Sequence, residues 1–230
     1  MKKKVIFVII VILLVIIGII GYMVVSDLRQ EDKLMEEVSE INELANAEDI
    51  DIDEINERLD RTVTSGDYAK VEVSFKRYLK NTLDNLLEIL DIINDERIVT
   101  LLSVDNYLSD GKDFISSKKY ISSVRNRLEE CKKKYTEDMT KDKAMSYISD
   151  KGLDSYYTDL YEKKLVDDVI ISDKTVENSV DELISILDIS EDVLNLLSDN
   201  SNSWVIDGEN IVFSDNNIRS RYEELINQIG

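Results

Sequence analysis

The chain has 230 residues and a net charge of −20, yet 43% of its residues are hydrophobic. That apolar content is typical of a folded protein, while the excess of carboxylates argues against a nucleic-acid partner, because phosphates would be repelled. The sequence has no histidine and one cysteine, Cys131, which excludes histidine-dependent nucleophile pairs, an internal disulfide and a cysteine-rich zinc site.

The first element is an uncharged apolar run from Val5 to Val25. A helix rises about 1.5 Å per residue, so about 20 such residues cross a hydrocarbon core about 30 Å thick. Three lysines precede the run and the charges just after it nearly cancel, which predicts a cytoplasmic N-terminus. We predict a single-pass signal-anchor in the cell membrane, with residues 26 to 230 extracytoplasmic. The alternative is a cleaved signal peptide, although its apolar core is usually only about 7 to 15 residues long.

A helix is predicted to continue from the span to about Ala47, with a narrow apolar stripe. Leu34, Val38 and Ile41 recur along it at spacings of four and three residues. Two interpretations stay open. The stripe packs on the chain's own bundle, or it contacts a partner protein in a short coiled coil.

Alternating aspartates at Asp49, Asp51 and Asp53 resemble the start of an EF-hand calcium loop. However, Glu54 stands where the sharp turn of that loop needs glycine, and Asp60 stands where it needs a bidentate glutamate. A helix N-cap at Asp51 or Asp53 explains the same residues. We therefore predict no metal site and no cofactor.

Two long helices are predicted in the middle of the chain. A short helix starts near Ile52 and ends at Gly66, and Asp67 can cap the next one. The wide apolar face from Val71 to Ile93 predicts the central core helix, and a second long helix is predicted from about Asp113 to Thr140.

The second long helix carries a basic face in an otherwise acidic chain. Its members are Lys118, Lys119, Arg125, Arg127, Lys132, Lys133 and Lys134. One interpretation is a docking surface for an acidic partner, with Lys132, Lys133 and Lys134 in the contact. The other is intramolecular: the face lies beside acidic helices of the same chain and offsets their repulsion.

A tyrosine cluster follows at helical spacing, at Tyr156, Tyr157 and Tyr161. Aromatic side chains in such a cluster can line a ligand groove. Spacings of three and four residues are also typical of core packing with the hydroxyl groups at the rim. Both interpretations stay open.

Three more helices are predicted towards the C-terminus. They cover Lys174 to Leu187, Ser190 to Leu197 with Ser190 as N-cap, and Asn216 to Ile229. Between the last two, apolar residues flank Asp207-Gly208, which is a strong signal for a β-hairpin. Because an isolated hairpin is marginal in water, Trp204 and Phe213 are expected to anchor it to the helical body.

These elements predict a mostly α protein, with an N-terminal single transmembrane helix followed by an extracytoplasmic helical bundle and one small C-terminal β-hairpin. The predicted domains are residues 1–25, the cytoplasmic tip and anchor; 26–48, the juxtamembrane helix; 49–199, the helical bundle; and 200–230, the hairpin with its C-terminal helix.

No group of residues predicts catalysis, so we expect a non-enzymatic interaction or adaptor protein of a bacterial envelope, which binds other membrane or surface proteins. A second hypothesis is an extracytoplasmic ligand-binding or sensory domain that uses the tyrosine groove. A third is a wall hydrolase with two carboxylates about 5 to 10 Å apart. The 48 acidic residues offer no pair that the sequence can select.

Overall fold

The computed structural model describes residues 29–45, 51–167 and 174–229. These residues are 77% helical and include a two-stranded antiparallel hairpin near the C-terminus, which confirms the predicted helical bundle with its hairpin. Within these ranges, every helix is too short or too polar to cross a membrane. The predicted span, Val5 to Val25, lies outside them.

Ten α-helices and two strands are described along these ranges. The helices are α1 Arg29–Ala45, α2 Ile52–Asp60, α3 Asp67–Ile93, α4 Glu96–Thr100, α5 Val104–Asp110, α6 Ile115–Asp138, α7 Lys141–Ser146, α8 Ser155–Leu160, α9 Thr175–Asp199 and α10 Asn216–Ile229. The strands are β1 Trp204–Asp207 and β2 Asn210–Phe213. Helix α8 continues into a π-helical segment, Tyr161–Val166.

The described residues divide into two compact units. The first unit contains residues 29–45, 51–88, 131–167 and 174–176. The second unit contains residues 89–130 and 177–229. The division falls within α3, α6 and α9, so each of these helices contributes residues to both units.

In the first unit, α1 contacts α2. The stripe residues Leu34, Val38 and Ile41 are buried, and so are Ile55 and Leu59 of α2. Burial of this kind stabilises a helix by about 1.5 to 3 kcal/mol for each large aliphatic side chain. The stripe therefore packs on the chain's own helices, one of the two arrangements that its spacing predicts.

Helix α2 ends at Asp60, so the prediction that it runs to Gly66 is wrong. The residues after it are not helical because the N–H groups of Val63 and Thr64 donate to the carboxylate of Glu72, at 2.8 to 3.1 Å. A side chain from α3 thus takes backbone donors that would otherwise have continued the helix.

Two predicted N-caps have different outcomes. Asp51 caps α2, because its Oδ1 accepts a hydrogen bond from the Glu54 N–H at 2.9 Å. Ser190 caps nothing, because it lies inside the unbroken helix α9 and its hydroxyl donates to the Ile186 carbonyl at 2.7 Å.

The hairpin packs on helices of the second unit. Trp204 pairs with Phe213 across the strands, and Val205 pairs with Val212. Trp204 is buried, while Phe213 is half-buried against Tyr222 of α10, with ring centroids 5.2 Å apart. Trp204 and Phe213 are therefore the anchors that the sequence predicts.

Candidate functional site

The basic face of α6 lies beside carboxylates of the same chain. Its ion pairs within 3.9 Å include Arg125 with Asp188 and Glu191, Lys133 with Glu137, and Lys134 with Glu88. Lys132 is half-buried. These contacts agree with the intramolecular interpretation.

The three tyrosines of the predicted groove have different surroundings. Tyr161 is buried, and its hydroxyl donates to the Ala144 carbonyl at 2.8 Å. The ring of Tyr157 is edge-on to Tyr156 and to Tyr68, with centroids 5.2 and 5.1 Å apart. Of the three, Tyr156 is the exposed one, with 48% of its surface accessible. Most of this aromatic surface is therefore used for packing inside the first unit.

The first unit contains a buried ion cluster, which we define as Glu37, Arg58, Arg61, Glu72 and Lys76. The Lys76 ammonium lies 3.0 Å from Glu37 Oε1 and 2.8 Å from Glu72 Oε1. It also donates to the backbone carbonyls of Arg58 and Arg61, at 2.8 and 3.0 Å. Its side chain is 2% exposed, and that of Glu72 is 0% exposed. Each buried charge in this set has an opposite charge in contact with it.

Electrostatics keep the two carboxylates of the ion cluster ionised. Burial opposes ionisation of Glu37, but hydrogen bonds from Arg61 and Lys76 outweigh it and lower the pKa of Glu37. Burial acts in the same way on Glu72, and hydrogen bonds from Lys76 and Thr64 lower its pKa. A general acid needs the opposite shift, so the ion cluster is suited to holding α1, α2 and α3 together rather than to general-acid chemistry.

A third buried acid, Asp138, ends helix α6. Its Oδ2 accepts hydrogen bonds from the amides of Asn81, at 2.7 Å, and Asn85. The Lys143 ammonium lies 3.8 Å from its Oδ1. Burial raises the pKa of Asp138, while the charge of Lys143 and the Asn85 hydrogen bond oppose this. A raised pKa suits the hydrolase hypothesis, but the polar contacts of Asp138 are with two amides and a lysine.

We expect Asp138→Asn to raise the melting temperature at pH 7. The folded-state pKa of Asp138 lies above its usual value of 3.8, so its ionised form opposes folding, and this penalty grows as the pH rises through the folded pKa. The amide oxygen of the new side chain can still accept from Asn81 and Asn85. The gain should shrink as the pH falls towards 3.8 and disappear below it, where the wild-type carboxyl is protonated in both states.

Melting curves of the full chain at pH 7 and pH 4 would measure this difference. Asp84→Asn, at an exposed position of α3 between the two asparagines, is the matched control and should change little at either pH. A lower melting temperature for Asp138→Asn at pH 7 would contradict the account.

A different surface in the second unit carries exposed apolar side chains. Five large apolar side chains are exposed among the described residues, and four of them lie in this unit. They are Leu108, Ile115, Val205 and Val212, with 63%, 71%, 57% and 46% of their surface exposed. We call these four residues the hairpin patch. Clustered exposed apolar residues are typical of an interaction site, whereas single ones are ordinary.

One buried aromatic cluster supports the hairpin patch. The rings of Tyr107, Phe114 and Trp204 contact one another, with centroids 5.4 to 6.4 Å apart. Each of these aromatic residues is followed in the sequence by a residue of the hairpin patch. Leu108 follows Tyr107, Ile115 follows Phe114, and Val205 follows Trp204. Val212 lies opposite Val205 in the hairpin, where facing Cβ atoms are about 4.5 to 5.5 Å apart. The exposed residues are therefore held on backbone segments that meet at one rigid core.

The hairpin is clamped onto that core by polar contacts. The indole N–H of Trp204 donates to the Leu197 carbonyl at 2.7 Å, which satisfies an acceptor in the last turn of α9. The Lys112 ammonium lies 4.8 Å from the centre of the Trp204 ring and donates to the backbone carbonyls of Ser201 and Trp204. These bonds fix the position of β1.

Phe114 has an unusual backbone conformation for a bulky residue, with φ of +51°. Such a conformation costs about 1 to 3 kcal/mol and persists only where its surroundings enforce it. Here the ring is 0% exposed and stacks on Trp204. The left-handed turn at Phe114 buries this ring while Ile115 beside it stays in solvent.

The segments that carry the hairpin patch are strongly acidic. Residues 104–115 and 201–215 contain six acidic residues and one basic residue, a net charge of −5. The acidic residues are Asp105, Asp110, Asp113, Asp207, Glu209 and Asp215. The basic residue in these segments, Lys112, lies over the Trp204 ring and donates to the Ser201 carbonyl. The patch therefore lies on segments that are acidic overall.

Sequence reasoning missed both the ion cluster and the hairpin patch. Glu72 and Lys76 are four residues apart, but this spacing is more typical of a surface pair on a helix. The strands did contain a signal for the patch. Both have consecutive apolar residues, so both faces of the hairpin are apolar, and only one face can pack on the body.

Within the described ranges, no three Cys, Asp or Glu side chains are grouped so that they could hold a metal ion. Comparison of the chain with protein-family models, curated proteins and solved structures finds no match.

Proposed function

We propose that this protein is a membrane-anchored adaptor of a bacterial envelope, and that the hairpin patch is its docking surface. The apolar run from Val5 to Val25 serves as the anchor and places the helical bundle outside the cytoplasm. The observation that carries the proposal is the set of four exposed apolar side chains on the segments that flank one buried aromatic cluster. The stripe on α1 and the lysines of α6 contribute little, because they are buried or lie beside carboxylates of the chain itself.

The charge around the hairpin patch indicates the kind of partner. A net charge of −5 in the two segments repels anionic lipid and nucleic acid, and attracts a basic protein. The partner that fits is an envelope protein segment with apolar side chains flanked by lysine or arginine. Apolar contacts supply most of the affinity at such a surface, while the charges orient the encounter.

We expect Leu108→Glu combined with Val205→Glu to abolish docking. Both positions are mostly exposed, so the fold should persist, while a charge in an apolar contact weakens binding by at least about tenfold. The test compares full-length proteins expressed in their native cells, crosslinked, solubilised and purified through a C-terminal tag. Quantitative mass spectrometry then compares the partners that each variant retains.

The matched control is Ser122→Glu combined with Ser123→Glu, which adds the same charge at exposed positions of α6 in the second unit. The proposal predicts a basic envelope protein that the control retains and the patch variant loses. Equal recovery with both variants, a second copy of this chain as the sole partner, or no partner for the wild type would each contradict it.

A further inference from the structure

A cleft of about 260 Å³ opens in the second unit, away from the residues of the hairpin patch. The end of α3, the turn before α4 and the middle of α6 contribute its lining, which consists of Asp91, Ile92, Asn94, Asp95, Val124 and Arg127. Ile92 and Val124 are its apolar lining residues, and because both are almost fully buried they present only a narrow apolar surface to the cleft. The remaining residues give the cleft polar walls with charges of both signs.

The opposite charges at the cleft are only loosely paired with each other. The Arg127 guanidinium lies 3.9 Å from Asp91 Oδ2, which is longer than a hydrogen bond. Arg125 on the same helix instead donates to Asp188 and Glu191 at 2.8 Å. Asp91 and Arg127 therefore keep hydrogen-bonding capacity that a ligand beside them could use.

The third charged residue of the cleft lining, Asp95, is held in place by two hydrogen bonds to its carboxylate. Its Oδ2 accepts from the Tyr120 hydroxyl at 2.7 Å, and its Oδ1 accepts from the Arg97 N–H at 2.9 Å. The Arg97 guanidinium also stacks on the Tyr120 ring, 4.3 Å from its centre. The Tyr120 hydrogen bond lowers the pKa of Asp95, so the carboxylate is ionised at neutral pH. The cleft thus presents two carboxylates and one guanidinium.

From these contacts we propose that the cleft binds a small zwitterion, an α-amino acid with a branched apolar side chain. The ligand ammonium faces Asp91 and Asp95, its carboxylate faces Arg127, and its side chain covers Ile92 and Val124. The volume fits this class, because it lies just below the range of about 300 to 1,000 Å³ found for drug-sized ligands. The planar guanidinium of an arginine also binds a carboxylate with better geometry than the ammonium of a lysine does. The inference is independent of docking at the hairpin patch.

The test uses three matched probes: L-leucine, 3-methylbutylamine, which lacks the carboxylate, and 4-methylpentanoate, which lacks the ammonium. Methyl resonances of the full-length protein in detergent micelles report binding at Ile92 and Val124. L-leucine should shift these resonances saturably, and each half-ligand should bind at least about tenfold more weakly, since it leaves one wall of the cleft without a partner.

Arg127→Gln should weaken L-leucine binding at least about tenfold, because the carboxylate loses its charged partner. Arg77→Gln, at an exposed arginine of α3 outside the cleft lining, is the matched control and should bind as the wild type does. Three outcomes would overturn the inference: no saturable shift with L-leucine, equal affinity for the amine alone, or unchanged binding by Arg127→Gln.

Discussion

Replacing Lys76 by methionine is expected to lower the free energy of unfolding by about 3 to 5 kcal/mol. The reason is that Glu72 would stay buried without its cationic partner, while Glu37 would keep only the guanidinium groups of Arg58 and Arg61. Two backbone carbonyls, those of Arg58 and Arg61, would lose a donor as well. For a domain of this size the loss corresponds to a decrease in melting temperature of about 6 to 20 °C. Thermal and denaturant unfolding of the full chain, followed by circular dichroism, would measure it.

Lys80→Met provides the matched control for this measurement. Lys80 lies on the same helix and pairs with Asp60 at 2.5 Å, but its side chain is 35% exposed and that of its partner is 64% exposed. Exposed pairs contribute only about 0 to 1 kcal/mol, so this variant should be close to the wild type. Equal losses from Lys76→Met and Lys80→Met would show that the ion cluster is not what holds α1, α2 and α3 together.

The ion cluster also predicts how this stability depends on pH. The pKa values of Glu37 and Glu72 lie below their usual value of 4.5 in the folded state. Their contribution is therefore present above about pH 4.5 and decreases as the pH falls through the folded-state pKa values. The difference between the wild type and Lys76→Met should shrink over the same range.

The second large effect concerns the anchor. Ile12→Lys combined with Ile16→Lys is expected to release the protein from the membrane or to abolish its insertion, because each lysine in mid-span costs about 2.5 to 3.5 kcal/mol. Fractionation of cells that express the full-length chain would show the change. Ile12→Leu combined with Ile16→Leu conserves apolar character and should leave the protein in the membrane fraction.

Unchanged fractionation of the double lysine variant would contradict the predicted span. The mass of the mature wild-type protein distinguishes the signal-anchor hypothesis from the cleaved signal peptide, because cleavage would remove the apolar run. Protease added to intact cells or spheroplasts should digest the C-terminal domain and spare an N-terminal epitope, if the positive-inside assignment is correct.

The sequence predicts a helix or the hairpin correctly where a local pattern, such as apolar spacing or a turn motif, determines the secondary structure. The apolar spacing from Val71 to Ile93 predicts α3, and the Asp207-Gly208 turn predicts the hairpin. The apolar spacing also predicts α9 as one helix when it is followed through Ser190. Ser190 is fully buried and lies in register between Leu187 and Leu194, so the apolar spacing continues through it.

The candidate sites were harder to predict because they depend on contacts between distant segments. Glu37 and Lys76 are separated by 39 positions, and nothing local shows that both are buried. Leu108 and Ile115 look like core residues in the sequence. The exposure of Ile115 follows from the left-handed backbone at Phe114 and the stacking of its ring on Trp204, a residue from the far end of the chain.

The most direct test of the adaptor account is photo-crosslinking from the hairpin patch in intact cells. A photoreactive amino acid at position Leu108 of the full-length protein should give a discrete adduct with a basic envelope protein, and the same group at Ser122 should give none. An adduct at Leu108 that disappears with Val205→Glu would establish the hairpin patch as the docking surface. The absence of an adduct at Leu108, or the same adducts at both positions, would contradict it.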